Sequence, residues 1–153
     1  MYLLLDSGVL GVLCHTSRQR YLALETRLWK FLRASPVDRE IFIPEIADYE
    51  VRRKLLHLIS KSQSTPEAIA RLESAAEDFT YLPLDTPTMR TASDFWAEAR
   101  RKGRPSASDL SLDADMILAA QAHQVGGTVV TTNRRHLDQF VPTIDWTEIP
   151  TTA

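Results

Sequence analysis

Cysteine is almost absent from this chain, and Cys14 is its one example. A single cysteine excludes an internal disulfide and a cysteine-based zinc cluster, a composition that fits a reducing compartment. Long hydrophobic runs are lacking too, since no apolar stretch approaches the roughly 18 residues that a membrane-spanning helix needs. No positively charged start precedes a long apolar core, so we expect a cytoplasmic protein that does not involve a membrane.

An excess of charge of one sign is also missing. The 18 basic and 20 acidic residues give a net charge of -2, which neither indicates nor excludes a nucleic-acid partner, because a local basic rim can act within an acidic total. Hydrophobic residues at 44% and charged residues at 25% are typical of globular proteins. With 153 residues, the sequence predicts a single domain over residues 1–153.

Short apolar runs alternate with longer amphipathic segments. Since strands and helices in this order are joined by right-handed crossovers, the alternation predicts a parallel sheet. Strands are predicted near residues 2–5, 41–44, 80–84, 128–132 and 143–149. Helices are predicted near residues 9–13, 21–34, 44–61, 66–79, 86–102, 113–120 and 133–140, and a loop at 103–111 is predicted to form a mobile rim.

Four acidic residues fall where such a fold brings side chains to one edge of the sheet. Asp6 ends the first strand, Glu50 lies near the start of the helix after the second, and Asp113 and Asp115 open a late helix. Sites in open parallel sheets form beyond the carboxyl ends of the strands. Carboxylates without nearby histidine suit Mg²⁺ or Mn²⁺, which prefer oxygen ligands. The pattern therefore predicts a divalent-metal site able to activate water against a phosphodiester.

Each acidic residue also has a purely structural interpretation. Glu50 borders the apolar face of its helix, whereas Glu45 and Asp48 are predicted to face water. Pairing with Arg53 or Lys54, three and four positions on, is the alternative to a metal role for Glu50.

Helix capping and turn formation account equally well for two of the other acids. Asp113 is a favourable N-cap for a helix that begins at Ala114, and Asp115 then lies in the first turn of that helix. Asp6 is a residue type that is common in turns. The basic clusters at 52–54, 100–104 and 134–135 are either solvated helix faces or a ring that holds nucleic-acid phosphates.

Five segments together carry a family resemblance. They are 3–7 (LLLDS), 49–53 (YEVRR), 113–122 (DADMILAAQA), 129–133 (VVTTN) and 136–137 (HL). In these segments, which span most of the domain, the chain resembles the PIN-domain nucleases, and most closely the VapC-type toxin ribonucleases of toxin–antitoxin pairs. The resemblance implies a three-layer α/β/α sandwich with a central, mostly parallel sheet of four to five strands. It also implies Mg²⁺- or Mn²⁺-dependent cleavage of RNA, homodimers, and inhibition by a small antitoxin protein that docks near the active site.

Carried onto this sequence, the resemblance assigns roles to individual residues. Asp6, Glu50 and Asp115 are the expected catalytic and metal-binding carboxylates, with Asp113 as an additional ligand. The expected supporting residues are Ser7, Thr131 and Asn133, and the expected RNA-binding residues are Arg53, Arg104 and Arg134. Asn133 departs from the family pattern, in which many members have a fourth aspartate; it removes one negative charge, and Asp138 is a candidate to compensate.

Two other functions remain to be weighed against the nuclease. A catalytically weakened PIN scaffold that binds RNA or a protein without cleavage is favoured by Asn133. A phosphoacceptor receiver domain needs a lysine at the end of a late strand, but the four lysines all lie in predicted helices.

Overall fold

A five-stranded sheet organises the structure, a computed structural model that describes residues 1–102, 109–134 and 136–153. Its strands lie in the order β3-β2-β1-β4-β5, and every neighbouring pair is parallel. The strands are β1 (Tyr2–Leu5), β2 (Glu40–Pro44), β3 (Thr80–Leu82), β4 (Thr128–Val130) and β5 (Thr143–Ile144). The predicted parallel sheet of four to five strands is confirmed.

Helices cover both faces of this sheet. They are α1 (Ser7–Leu13), α2 (Arg18–Ala34), α3 (Glu45–Ser60), α4 (Pro66–Asp78), α5 (Thr86–Arg101) and α6 (Asp109–Val125). Side chains alternate between the two faces of a strand, so Leu3 and Leu5 of β1 pack in one buried cluster with α1 and α2, while Leu4 packs in a second with α6. Two cores on opposite faces make the predicted three-layer α/β/α sandwich. In the described part of the chain, no helix is long and apolar enough to cross a membrane.

The late helix starts earlier than predicted. α6 begins at Asp109, so Asp113 lies inside the helix and is not its N-cap, and Asp115 lies beyond the first turn. The physical reason is that Leu112, itself buried, already belongs to the apolar face that Met116 continues one turn later. Residues 103–108 of the predicted mobile loop lie outside the described residues.

Two predictions near the end of the chain are wrong in part. In the segment predicted as a helix near 133–140, residues 136–140 form turns, and the Leu137 and Asp138 main-chain amides both donate to the Arg134 carbonyl. The last strand stops at Ile144 because Asp145 starts a 3-10 helix (Trp146–Glu148) through a capping box.

The far side of α3 is less polar than its sequence indicates. Asp48 is 9% exposed, and the Tyr81 hydroxyl donates to its Oδ2 over 2.7 Å. Asp48 also forms an ion pair with Arg52, whose Nη2 lies 3.0 Å from Oδ1 of Asp48. Glu45 is half-buried and accepts a hydrogen bond from the Leu84 amide. The expectation that Glu45 and Asp48 face water is therefore wrong, because α4 packs against α3 and because Tyr81 in β3 and Leu84 after it donate hydrogen bonds to these two carboxylates.

Candidate active site

The register between β1 and β4 brings together the first elements of the site. Leu5 of β1 pairs with Val130 of β4, and the Asp6 amide continues the ladder by donating to the Val130 carbonyl over 3.1 Å. Asp6 and Thr131, the residues that follow these paired positions, therefore emerge side by side at the carboxyl edge of the sheet. Thr131 is fully buried, its hydroxyl donates to the Asn133 carbonyl over 3.2 Å, and its proximity lowers the pKa of the Asp6 carboxyl.

Asp6 has a structural role in addition to its place in the site. It is the N-cap of α1, and its Oδ1 accepts a hydrogen bond from the Val9 amide over 2.7 Å. Desolvation by burial raises the pKa of the Asp6 carboxyl, against the lowering effect of hydrogen bonds from Thr131, Val9 and Gly8. One oxygen of Asp6 therefore accepts a hydrogen bond from α1. The residue is half-buried just beyond the end of β1.

Glu50 reaches the same edge from α3, which packs against α1 and α6. Burial raises the pKa of its carboxyl most, Arg53 and a hydrogen bond from Ser7 lower it, and the charge of Asp6 raises it. Nη2 of Arg53 lies 3.7 Å from Oε2 of Glu50. Glu50 therefore forms the predicted ion pair with Arg53 and also lies near Asp6. The ion pair and a metal-binding role do not exclude each other.

Asp115 supplies the third carboxylate from α6. Its pKa is raised from 3.8 to about 6, first by desolvation, then by the charges of Glu50 and Asp6. Each of these three residues therefore lies within electrostatic range of the other two, although they are far apart in the sequence. A half-buried cluster of like charges is unstable unless protons or a cation neutralise it.

The chemistry of this donor set fits a hard divalent cation. Mg²⁺ retains several waters and takes only one or two protein carboxylates, with hydroxyl groups supporting the waters. Within the described ranges, no three Asp, Glu, His or Cys side chains are arranged so that they enclose an ion. Asp6, Glu50 and Asp115 are the residues that would hold such a cation, and Ser7 and Thr131 lie near enough to lower the pKa values of Glu50 and Asp6.

The remaining predicted residues that the structure describes are exposed on the surface, unlike the half-buried carboxylates. Asp113 is exposed on α6. Asn133 is also exposed, and its main-chain N–H, not its side-chain amide, donates to Oγ1 of Thr131 over 3.0 Å. Arg134 pairs with Glu148 at 2.7 Å. Arg104 lies outside the described residues.

Gln121 is a contributor that the sequence did not single out. It is fully buried, its Oε1 accepts from the Ile46 amide over 3.3 Å, and its Nε2 donates to the Leu82 carbonyl over 2.8 Å. Because Pro44 gives α3 no side-chain cap, Gln121 satisfies a first-turn amide that would otherwise be unpaired. It thereby fixes α3, with Glu50, against α6, with Asp115. The sequence feature that indicates this role is the single polar side chain, that of Gln121, within the otherwise apolar segment Ile117 to Ala122.

The fold is an α/β domain with a parallel sheet, and its candidate site is a cluster of three carboxylates, those of Asp6, Glu50 and Asp115. The family model described as the PIN domain matches residues 4–140, so the chain belongs to the PIN domain family. Among curated proteins, none matches the chain significantly.

Several solved structures share this fold over nearly their whole length. FitAcB from Neisseria gonorrhoeae has a TM-score of 0.68 and 21% identity over 95% of this chain and 99% of that one. VapBC2 from Rickettsia felis, bound to a promoter DNA fragment, has a TM-score of 0.66 and 17% identity over 95% and 99%. VapBC-1 from nontypeable Haemophilus influenzae has a TM-score of 0.64 and 16% identity over 97% and 100%. At these identities the similarity concerns the fold alone.

Proposed function

We propose that this protein is a Mg²⁺- or Mn²⁺-dependent endoribonuclease that acts as the toxin of a toxin–antitoxin pair. The observation that carries the proposal is the convergence of Asp6, Glu50 and Asp115 at the carboxyl edge of the sheet, where the charges of Glu50 and Asp6, together with burial, raise the pKa of Asp115. Perturbed carboxylates gathered in a cleft are typical of catalytic sites. Membership of the PIN domain family supports the choice of nuclease over other metal enzymes.

The proposed roles combine the contacts of the described side chains with the assignments that the family resemblance gives. Asp6, Glu50 and Asp115 bind the cation and position the attacking water, while Asp113 is a further ligand at the exposed margin. A bound Mg²⁺ or Mn²⁺ lowers the pKa of water and stabilises charge on the phosphodiester oxygens. Ser7 and Thr131 stabilise the charged forms of Glu50 and Asp6, whose pKa values they lower, and the main-chain N–H of Asn133 donates to Thr131. Arg53, Arg104 and Arg134 bind RNA phosphates.

The proposal includes two protein partners. A small antitoxin would bind near the carboxylates and block access to them, and a second copy of the chain would form a homodimer. The VapBC and FitAcB assemblies, which have the same fold, support the antitoxin part. The expected cellular location is the cytoplasm.

Asp6→Asn gives the sharpest test of the nuclease. Asparagine still caps a helix, so α1 is retained while one metal-binding charge is lost. We expect the variant to fold with the wild-type circular dichroism spectrum and to lose RNA cleavage in Mg²⁺ or Mn²⁺. Asp85→Asn is the matched control, since Asp85 caps α5 in the same way. Cleavage by Asp6→Asn at the wild-type rate in Mg²⁺ would contradict the assignment.

A second function is favoured by Asn133, which stands where many relatives have an aspartate. A PIN scaffold short of one charge would bind RNA or a protein without cleaving it. Calorimetric titration of the RNA-free protein with Mg²⁺ separates the two functions. A nuclease takes up the ion and cleaves RNA only in its presence, whereas a pure binding module shows neither metal uptake nor dependence on Mg²⁺.

A further inference from the structure

Gln121 joins three elements of the fold through a ring of hydrogen bonds. Its Nε2 donates to the Leu82 carbonyl at the end of β3 over 2.8 Å, and its Oε1 accepts from the Ile46 amide in the first turn of α3 over 3.3 Å. The Leu84 amide, just beyond β3, donates over 2.8 Å to Oε1 of Glu45, the residue before Ile46. The ring therefore holds α6, the first turn of α3 and the end of β3 together at one place.

This hydrogen-bonded ring lies in an apolar part of the core. Gln121 is fully buried, and Ile46 and Leu82, whose main-chain groups it contacts, belong to the same hydrophobic cluster as Leu118 and Ala119 of α6. Burial of an amide side chain is unfavourable unless the amide is hydrogen bonded. Fully paired polar groups in such low-dielectric surroundings make a core rigid and specify one arrangement of it. The two contacts of Gln121 therefore hold α3 and α6 at one separation.

Two of the three carboxylates lie a short way along the helices that the ring joins. Glu50 follows Ile46 on α3, and Asp115 precedes Gln121 on α6. At a rise of about 1.5 Å per residue, the offsets along the two helix axes are about 6 and about 9 Å. The two carboxylates repel each other, since the charge of Glu50 raises the pKa of Asp115. A connection this close to them opposes the separation of α3 from α6 that their repulsion favours.

We propose that Gln121 is a positioning residue that makes the carboxylate site selective for Mg²⁺ over Ca²⁺. Mg²⁺ requires a nearly octahedral set of oxygens at about 2.0 to 2.1 Å, whereas Ca²⁺ accepts more oxygens at about 2.3 to 2.6 Å in flexible arrangements. Selectivity between them therefore depends on how rigidly the ligands are held. Because both ends of its buried amide are hydrogen bonded to the main chain, Gln121 acts through the helices that carry Glu50 and Asp115 and not as a ligand. The inference rests on the proposed metal site and adds the residue that sets its selectivity.

The test compares Gln121→Met with Gln124→Met, since methionine is similar in length to glutamine but has no amide. Gln124 lies on the same helix and also joins two partners, but these are Thr88 of α5 and Asp85, the cap of α5, which carries none of the three carboxylates. Calorimetric titration of the full-length, RNA-free protein with Mg²⁺ and, separately, with Ca²⁺ gives two dissociation constants for each variant. We expect Gln121→Met to weaken Mg²⁺ binding roughly ten- to a hundredfold and Ca²⁺ binding by about threefold or less. Gln124→Met should leave both constants unchanged.

The ratio of the two dissociation constants decides the result, because a general loss of stability affects the binding of both ions. A wild-type ratio in Gln121→Met would overturn the proposed role, even if its Mg²⁺ affinity falls. If Gln121→Met fails to fold, Gln121→Asn retains a polar amide that is one methylene shorter, and the same change in the ratio is expected from it.

The wild-type protein separates this inference from the nuclease function. Selective uptake of Mg²⁺ without cleavage of RNA would overturn the nuclease and leave the role of Gln121 supported by the ratio. A wild-type protein that takes up no Mg²⁺ would overturn both.

Discussion

The guanidinium of Arg53 lies 3.7 Å from the carboxylate of Glu50, one turn earlier on the same helix. It also lies over the ring of Tyr49, with 5.1 Å between its central carbon and the ring centroid. The charge of Arg53 lowers the pKa of Glu50, against the effects of burial and of Asp6. Arg53 thus provides positive charge to a cluster that otherwise consists of mutually repelling carboxylates.

Replacement of Arg53 by glutamine should strengthen metal binding. Because a cation at Glu50 and the guanidinium compete for one carboxylate, we expect Arg53→Gln to bind Mn²⁺ about three- to tenfold more tightly, since one exposed charge contributes roughly 1 kcal/mol in water-like surroundings. Calorimetry on RNA-free protein measures the change. Lys54→Gln removes the same charge from the next position and should have a smaller effect. Weaker Mn²⁺ binding in Arg53→Gln would mean instead that Arg53 positions Glu50.

Replacement of Asp115 by asparagine should stabilise the metal-free protein in a pH-dependent way. The folded-state pKa, about 6, lies above the ordinary value of 3.8, so the folded state holds this proton more tightly than the unfolded state. Wild-type stability therefore falls as the pH rises from about 4 to 6, and the loss is complete above that range. Asparagine is neutral throughout and avoids the loss.

Urea unfolding of metal-free Asp115→Asn checks this expectation. At pH 8 the variant should be more stable than wild type by about 1 to 3 kcal/mol, given 1.36 kcal/mol per pKa unit and a reduction for partial exposure. The difference should shrink towards pH 4. Asp113→Asn, two residues earlier on the exposed side of α6, should change stability little at either pH. A constant gain at all pH values would exclude titration of Asp115 as its cause.

The convergence of Asp6, Glu50 and Asp115 was predictable because each lies next to an apolar segment of clear period. In a parallel sheet, the residue after a central strand has to emerge at the carboxyl edge, so Asp6 required only the identification of β1. The position of Glu50 followed from helical geometry on α3. These are local patterns, and the sheet topology brought them together.

The surroundings of Asp48 and Gln121 were not predictable in the same way. Helical periodicity gives the direction of Asp48 relative to Glu50, but the sequence does not show that α4 packs on that side of α3 or that Tyr81 of β3 reaches Asp48 there. Gln121 pairs with Ile46 and Leu82, which are 75 and 39 residues away. The sequence did not predict the start of α6 at Asp109, because the residues just before Leu112 are mostly polar and are typical of a loop.

Comparison of Asp6→Ala with Asp6→Asn should separate the contribution of the helix cap to stability from that of the negative charge. Asparagine retains the acceptor for the Val9 amide, whereas alanine leaves that amide without a side-chain partner. We expect Asp6→Ala to be about 1 kcal/mol less stable than Asp6→Asn in urea unfolding. Asp85, which accepts from the Thr88 amide over 2.8 Å, should give a similar difference between the same two substitutions. Equal stability of the two Asp6 variants would contradict the capping role.

Tyr81→Phe should destabilise the fold through Asp48. The Tyr81 hydroxyl donates to this buried carboxylate over 2.7 Å, and its loss leaves Arg52 as the remaining side-chain partner. An unpaired buried oxygen costs about 1 to 3 kcal/mol, which we expect as a reduced free energy of unfolding in urea. Tyr49→Phe, at an exposed position on α3, should have little effect.

The double variant Tyr81→Phe with Asp48→Asn tests whether the loss acts through the Asp48 carboxylate. Removing the charge lowers the cost of the missing hydroxyl, because a neutral amide is less penalised by burial than a carboxylate. The two substitutions together should therefore cost less than the sum of their separate effects, with a coupling of about 1 to 3 kcal/mol. Strict additivity would show that Tyr81 stabilises the fold by packing and not by holding Asp48 between β3 and α3.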